Sequence, residues 1–154
     1  MSEFYTVKDI ALMSGLTERT VRNYIHSGIL NGEKHEGVWK FSLSEVNSFF
    51  EHPSVLPSIQ AKRNGVVFDC ITNRSKTTNQ MCAILDLPRE NGKAVSQYFR
   101  DYFNTQNHNG DLQFYFEDFE GYPRVIVKGQ PEDVLTLMNE VCSKCSTLEA
   151  NHEV

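Results

Sequence analysis

The sequence lacks the features that mark most membrane, secreted and catalytic proteins. No apolar run approaches the roughly 18 residues of a membrane span, and the start Met-Ser-Glu-Phe has neither part of a signal peptide. We therefore expect a cytoplasmic protein that does not enter a membrane. There is no HExxH, GxGxxG or phosphate-loop motif, and Asp86, Glu117 and Asp118 form no convincing acid–base pair. These absences argue against an enzyme and against a bound cofactor.

Cysteine is scarce and poorly spaced for metal binding. The chain has four cysteines, and only Cys142 and Cys145 form a CxxC pair. Structural zinc sites usually need a second such pair or a histidine pair. Cys82 falls in an apolar strand and Cys142 on the apolar stripe of a predicted helix. We expect buried, reduced thiols and no metal, because disulfides are also rare in the cytoplasm.

Basic charge is scarce as well. The net charge is −5, and the first 52 residues hold five basic side chains against seven acidic ones. Nucleic-acid binders usually show the opposite balance. If this protein binds DNA, we expect modest affinity per protomer, strong salt dependence and a need for two or more copies. A small basic excess at Lys62, Arg63, Arg74 and Lys76 would help if that segment lies near the duplex.

What the sequence does contain is a two-helix pattern between residues 7 and 30. Thr6 and Asp9 have the spacing of a capping box, and Gly15 ends the first helix where a left-handed conformation is needed. Thr17 can cap a second helix that ends at Gly28. The buried positions of that helix are predicted to be Val21, Tyr24 and Ile25. Two short helices joined by a glycine turn form a helix-turn-helix.

The outward positions of the second helix suggest contact with DNA. They are Glu18, Arg19, Arg22, Asn23 and His26. Arginine and asparagine make bidentate contacts with guanine and adenine in the major groove. Thr17, Thr20 and the helix N-terminus can hold a phosphate, and His26 either joins this face or caps the helix end. The alternative is an ordinary two-helix corner with a solvated polar face.

The next segment repeats elements of known DNA-binding domains. Residues 31–36 are polar and glycine-bearing like a hairpin tip, and 38–41 alternate like a strand. Ser42 and Glu45 repeat the capping box before a helix that reaches Phe50. Helix, turn, helix, β-wing and helix is the order of a winged helix.

Residues 4–52 resemble the winged-helix DNA-binding domain of the MerR superfamily, in the excisionase-like form of small bacterial and phage regulators. The resemblance depends on YTVKDIA at 5–11, GLTERTVRNYIHSGIL at 15–30 and GVWKFSLSEVNSFF at 37–50. It implies a recognition helix at 18–27 with Arg19, Thr20 and Arg22 in the major groove. It also implies a wing at 31–41 that meets the DNA backbone through Lys40 with Lys34 or His35.

Two departures from this family limit what can be carried over. Asn23 stands where many MerR proteins have a tyrosine, which leaves the base preference open. The long dimerisation helix of typical MerR activators does not follow, because His52-Pro53 and Pro57 interrupt the chain. Their mechanism, which retwists an overlong promoter spacer, is therefore not carried over.

The rest of the chain is predicted to form a small α+β domain. The segment 53–77 holds a linker and a connecting element at 58–72, which fits either a helix or a strand and favours the helix. Residues 78–146 then predict a strand at 81–87, a helix at 89–103, strands at 112–116 and 124–128, and a helix from Pro131. This is a split β-α-β-β-α unit, ferredoxin-like but three-stranded, with the third strand central. A flexible tail is expected at 147–154.

These patterns leave several functions open. The apolar strand at 81–87 lies on a sheet edge and invites pairing, so we expect a homodimer, the alternative being monomers that bind DNA in tandem. The aromatic stripe Tyr98, Phe99, Tyr102 and Phe103 is predicted to be core, with a pocket for an unknown effector as the alternative. The leading prediction is a sequence-specific transcriptional regulator bound to double-stranded DNA. The alternatives are an excisionase-type DNA-bending factor and a sensor or protein-interaction module with a weak DNA anchor.

Overall fold

The computed structural model describes residues 4–105 and 111–152, with the backbone alone at residue 119 and from 145 onward. The first half consists of helices and one β-hairpin: α1 (Val7–Ser14), α2 (Glu18–His26), β1 (Glu33–His35), β2 (Val38–Lys40), α3 (Leu43–Glu51) and α4 (Leu56–Thr72). The second half consists of three strands and two helices: β3 (Met81–Asp86), α5 (Gly92–Thr105), β4 (Gln113–Phe119), β5 (Tyr122–Gly129) and α6 (Pro131–His152).

The short helices begin at the predicted caps. Asp9 N donates to Thr6 Oγ1 at 3.2 Å while Thr6 N donates to the Asp9 carboxylate at 2.9 Å, so the capping box is confirmed. Ser42 and Glu45 form the same reciprocal pair at the start of α3. These bonds satisfy backbone donors that a helix start leaves without partners, which is why such short helices begin where they do.

Gly15 ends α1 in the left-handed conformation, with φ of 75°. A second constraint acts on the same residue, because a Cβ built there would lie 2.6 Å from Cε1 of Tyr115 on β4. Glycine is therefore required both by the turn and by the close approach of the second half of the chain. The helix-turn-helix corner lies directly against the sheet.

The three strands form one antiparallel sheet in the order β3-β5-β4. Ala83 pairs with Val127 and Phe114 pairs with the same valine, so β5 is central and β3 is an edge, as the sequence predicts. The helices α5 and α6 pack on the sheet through apolar residues, while α1 packs against β4.

Helices α4 and α6 bear on two expectations from the sequence. The segment 58–72 is helical, as favoured, and α4 begins slightly earlier, with Pro57 in its first turn. Helix α6 continues to His152, beyond the end of the predicted α+β domain at 146, and the flexible tail at 147–154 stays a prediction. In the part of the chain that is described, none of the helices combines the length and apolarity of a membrane span.

The two halves share one continuous hydrophobic core and a row of polar contacts. The α5 stripe, Ser96, Arg100 and Asn104, faces the start of the chain. Ser96 Oγ lies 2.6 Å from the hydroxyl of Tyr5, Arg100 Nη1 donates to the carbonyl of Phe4 at 2.9 Å, and Asn104 Nδ2 donates to Asp9 at 2.9 Å. The Arg100 guanidinium also lies 4.6 Å from the centre of the Tyr5 ring. Helix α1 is therefore held against the second half by specific bonds, of which the Tyr5–Ser96 bond is buried and the other two are partly buried.

Candidate nucleic-acid interface

The polar side of α2 is open to solvent. We define the recognition surface as Arg19, Arg22, Asn23 and His26, all of which are exposed. At 100° per residue these side chains and Glu18 fall within an arc of about 140°, and residues 18 to 26 extend about 12 Å along the helix. The buried Val21, with the partly buried Tyr24 and Ile25, lies on the other side. An exposed helix face of this length suits the major groove, which is about 12 Å wide.

One acidic side chain stands inside this arc. Glu18 Oε2 lies 3.3 Å from Arg22 Nη2, with both side chains about half exposed. An exposed i, i+4 pair of this kind is worth only about 0.3–0.5 kcal/mol, so it is easily exchanged for a phosphate or a base. Glu18 therefore orients Arg22 while the protein is free of DNA and lowers the positive charge of the surface.

Thr17 and Thr20 are brought together at the start of α2. Thr17 Oγ1 accepts a hydrogen bond from Thr20 N at 3.1 Å and lies 2.9 Å from Thr20 Oγ1. Thr17 is thus confirmed as the helix cap. The two hydroxyls and the positive end of the helix dipole are aligned as a polar edge beside the recognition surface.

The hairpin places its basic residues on two different faces. In the register Lys34 is opposite Trp39, while Glu33 is opposite Lys40. Because neighbouring residues of a strand point to opposite faces, His35 and Lys40 share one face and Lys34 lies on the other. Lys34 Nζ lies 5.8 Å from the Trp39 ring, and His35 Nε2 lies 2.9 Å from the Glu33 carboxylate. The hairpin therefore presents less positive charge on either face than the sequence suggests.

The structure separates two adjacent basic residues, Lys62 and Arg63, from the basic excess seen in the sequence. Lys62 on α4 is exposed and its Nζ donates to the carbonyl of Gly15 at 3.1 Å, in the turn that precedes α2. Arg63 is buried and lies 3.1 Å from Glu117, and burial lowers its pKa. Of this adjacent basic pair, only Lys62 can reach a ligand. The sequence offered a local charge excess as a signal but could not say which member of the pair was exposed.

The hydrogen bonds that hold α1 to α5 leave α2 uncovered. The bonds from Ser96, Arg100 and Asn104 all end on Phe4, Tyr5 and Asp9, at or before the first turns of α1. The recognition surface faces away from Val21 and the core that these residues join. The second half of the chain thus fixes the helix-turn-helix without covering it.

The cysteines are arranged differently from the prediction. Cys142 is exposed, because its neighbour Val141 takes the buried position on α6, so the predicted core placement of Cys142 is wrong. The side chain of Cys145 lies outside the described residues. Burial, together with the neighbouring Cys70 thiol, raises the pKa of Cys82 to about 11. Among the side chains that the structure describes, no three His, Cys, Asp or Glu residues come together as metal ligands would.

The aromatic stripe of α5 is mostly core. Phe99 and Tyr102 are buried, and Phe99 stacks on Phe114 with ring centres 5.7 Å apart. Tyr98 and Phe99 also line a cavity of about 210 Å³ beside Val95, open between α5 and α6. The prediction that the stripe is core is therefore confirmed for Phe99 and Tyr102, while a ligand pocket stays a prediction.

Comparison with known proteins agrees with the geometry of the first third of the chain. Residues 4–53 match the family model of a helix-turn-helix domain, which covers α1, α2, the hairpin and α3. No curated protein and no solved structure matches the chain. Residues 4–53 are thus a helix-turn-helix of the DNA-binding type.

Proposed function

We propose that this protein is a sequence-specific transcriptional regulator rather than an enzyme, with α2 lying in the major groove. The observation that carries the proposal is the open recognition surface on the second helix of a helix-turn-helix domain. The order of α1, α2, hairpin and α3 further supports the winged, MerR-like or excisionase-like form, with the hairpin as the wing.

In this proposal the recognition surface reads bases. Arg19 and Arg22 are shaped for the O6 and N7 atoms of guanine, and Asn23 for N6 and N7 of adenine. His26, one turn after Arg22, adds a further donor at the end of the helix. Each good bidentate contact discriminates against a wrong base by about 1–3 kcal/mol.

Phosphate contacts would come from three places around α2. Thr17 and Thr20 with the helix N-terminus hold one phosphate, and Lys62 adds a cation beside the same turn. On the hairpin, His35 and Lys40 share a face that can meet the backbone, whereas Lys34 would have to leave Trp39 to do so. The acidic Glu18 and Glu33 lie among these groups, which supports modest affinity per copy and a dimer on paired half-sites.

The firm attachment of the helix-turn-helix to the second half of the chain favours a regulator over a module with a weak DNA anchor. Buried bonds such as Tyr5 to Ser96 set the direction of α2 relative to the sheet. A copy-to-copy contact in the second half would therefore fix the distance and angle between two recognition surfaces. A DNA-bending factor needs no such large, attached second unit.

An effector site is a further part of this proposal. The cavity beside Val95, Tyr98 and Phe99 lies on α5, the helix whose polar stripe holds α1. An apolar small molecule bound there would act on the helix that positions α2. A thermal-shift screen with apolar compounds, repeated on Ala94→Trp to fill the cavity, tests this: stabilisation that survives the filling would contradict it.

The experiment for the DNA-binding function starts from a pool of random duplexes. Selected duplexes should share a motif, and mobility shifts on them should weaken about 10–100-fold in Arg22→Ala. Arg89→Ala is the matched control, since it removes an exposed arginine from the second half of the chain. A pool without a motif, or equal losses in the two variants, would contradict the proposal. DNA bending measured on the selected site separates a regulator from an architectural factor.

A further inference from the structure

One surface outside the DNA interface combines exposed apolar side chains with an open strand edge. Phe68 is 62% exposed, Ile71 69% and Ile84 50%. Ile71 and Ile84 line the same groove between the end of α4 and β3, and Phe68 precedes Ile71 by about one helical turn. We call Phe68, Ile71 and Ile84 the α4–β3 surface. Isolated exposed apolar residues are ordinary, but two that line one groove, with a third about one helical turn away, are a candidate interface.

We infer that the α4–β3 surface is the contact between two copies of this chain, related by a two-fold axis. This inference rests on the proposed DNA-binding function for its choice of partner. A two-fold contact uses the same surface twice, so the exposed Phe68 and Ile71 of each copy meet the groove of the other. The edge of β3 borders this groove, and in the described sheet β3 pairs with β5 alone. Its outer backbone groups are available to the β3 strand of the second copy.

The size of the surface fits such a contact. A stable interface covers about 800 Å² on each partner, of which somewhat more than half is apolar. The three exposed side chains and the groove walls offer an apolar patch on the order of 400 Å², comparable to the largest patch on a typical monomer, which is often a functional one. The groove has a volume of about 370 Å³, which is large enough to receive two such side chains.

The position of the surface along α4 points to a second copy rather than to an unrelated protein. Lys62 touches the helix-turn-helix corner at Gly15, and Ile71 follows nine residues later on the same helix. At 1.5 Å per residue this is about 14 Å along each helix, and two packed helices lie about 8–10 Å apart perpendicular to their axes. With the helices directed away from the two-fold axis, the two Lys62 positions lie roughly 30 Å apart. Successive major grooves on one side of DNA are about 34–36 Å apart, and each Lys62 side chain extends beyond its helix to the corner, so both corners can reach the duplex.

Sedimentation equilibrium of the full chain tests the contact without DNA. The wild type should approach twice the 17.7 kDa of one chain as its concentration rises. Ile71→Glu and Phe68→Glu should each raise the dissociation constant at least about 100-fold, because the contact would bury an unpaired carboxylate. Leu135→Glu is the matched control, since Leu135 is 49% exposed on α6, outside the surface. Circular dichroism shows that each variant is folded.

Three results would overturn the inference. They are a wild-type monomer at about 100 µM, dimers that survive both glutamate variants, and equal disruption by Leu135→Glu. Mobility shifts on a single half-site test DNA binding separately. A monomer that binds the half-site would contradict the dimer contact but not the DNA-binding function. A dimer of the predicted kind that selects no DNA would contradict the DNA-binding function but not the contact.

Discussion

Helices α2 and α5 each carry a polar stripe at i, i+4 and i+8 with an arginine in the middle. On α2 the stripe is Glu18, Arg22 and His26, and all three side chains are exposed. On α5 it is Ser96, Arg100 and Asn104, and Ser96 is 0% and Arg100 3% exposed. The second stripe is bonded to the start of the chain, while the ion pair described for the first, Glu18 to Arg22, lies within its own helix.

The difference teaches that a polar stripe on a helix does not by itself identify a DNA-binding surface. Arg100 lies 3.2 Å from the carboxylate of its neighbour Asp101. It also has a carbonyl and an aromatic ring as partners, which arrive from a segment 96 and 95 residues away in sequence. Among the side chains that the structure describes, the ion-pair partner of Arg22 is Glu18, four residues earlier. A recognition surface stays exposed, whereas the α5 stripe is packed against Phe4, Tyr5 and Asp9, a contact that we call the joint. Only the fold decides between these two outcomes.

The largest expected effect comes from breaking the joint. Arg100→Ala removes a buried donor and leaves the Phe4 carbonyl without it, so the free energy of unfolding should fall by about 3 kcal/mol. Arg22→Ala, the matched change on the exposed stripe, should alter it by less than about 0.5 kcal/mol. Urea unfolding measures both. Equal losses in the two variants would erase the distinction between the stripes.

A smaller loss of stability is expected from Tyr5→Phe. The change removes one buried hydrogen bond to Ser96 and keeps the ring that faces Arg100, so we expect a loss of about 1 kcal/mol. Tyr122→Phe is the control, because Tyr122 is 64% exposed. Thermal unfolding should place Tyr5→Phe between Tyr122→Phe and Arg100→Ala, and any other order would mean that the hydroxyl is not part of the joint.

Lys62→Ala tests the contribution of the corner before α2 to DNA binding. Lys62 is exposed beside the corner before α2, so its loss should weaken binding a few-fold on every sequence and reduce the slope of log K against log salt by about one. Stability should hardly change. Lys93→Ala on α5 removes an exposed lysine from the joint side and should leave the slope unaltered. An unchanged slope in Lys62→Ala would remove Lys62 from the interface.

The smallest expected effect is a gain in DNA affinity. Glu18→Gln removes a negative charge that competes with phosphate for Arg22, so DNA affinity should rise about two- to five-fold, most clearly at low salt. Glu132→Gln changes the first turn of α6 in the same way and serves as the control. Fluorescence anisotropy at two salt concentrations measures both. Weaker binding by Glu18→Gln would mean that Glu18 mainly positions Arg22.

Much of the local structure was predictable from short-range chemistry. The two capping boxes, the glycine turn, the choice of helix for 58–72 and the central third strand are all confirmed. They depend on residues within a few positions of one another or on the pattern of apolar side chains. For the same reason the exposed side of α2 followed from the buried positions on its other side.

Other features could not be predicted because they depend on contacts between distant segments. Lys62 is separated from Gly15 by 47 positions, and nothing in the basic run at 62–63 says that Arg63 turns inward to Glu117. The two faces of the hairpin depended on its register, and Cys142 was one helical position from the buried stripe. In each case a one-residue difference in orientation decided the outcome.

The sequence by itself determined where helices and strands start, stop and turn, because caps, glycines and apolar periods act over a few residues. Only the tertiary structure decided which of two similar polar stripes became an internal joint and which remained open. A buried arginine needs acceptors around it, and the Phe4 carbonyl and the Tyr5 ring reach Arg100 only in the folded core.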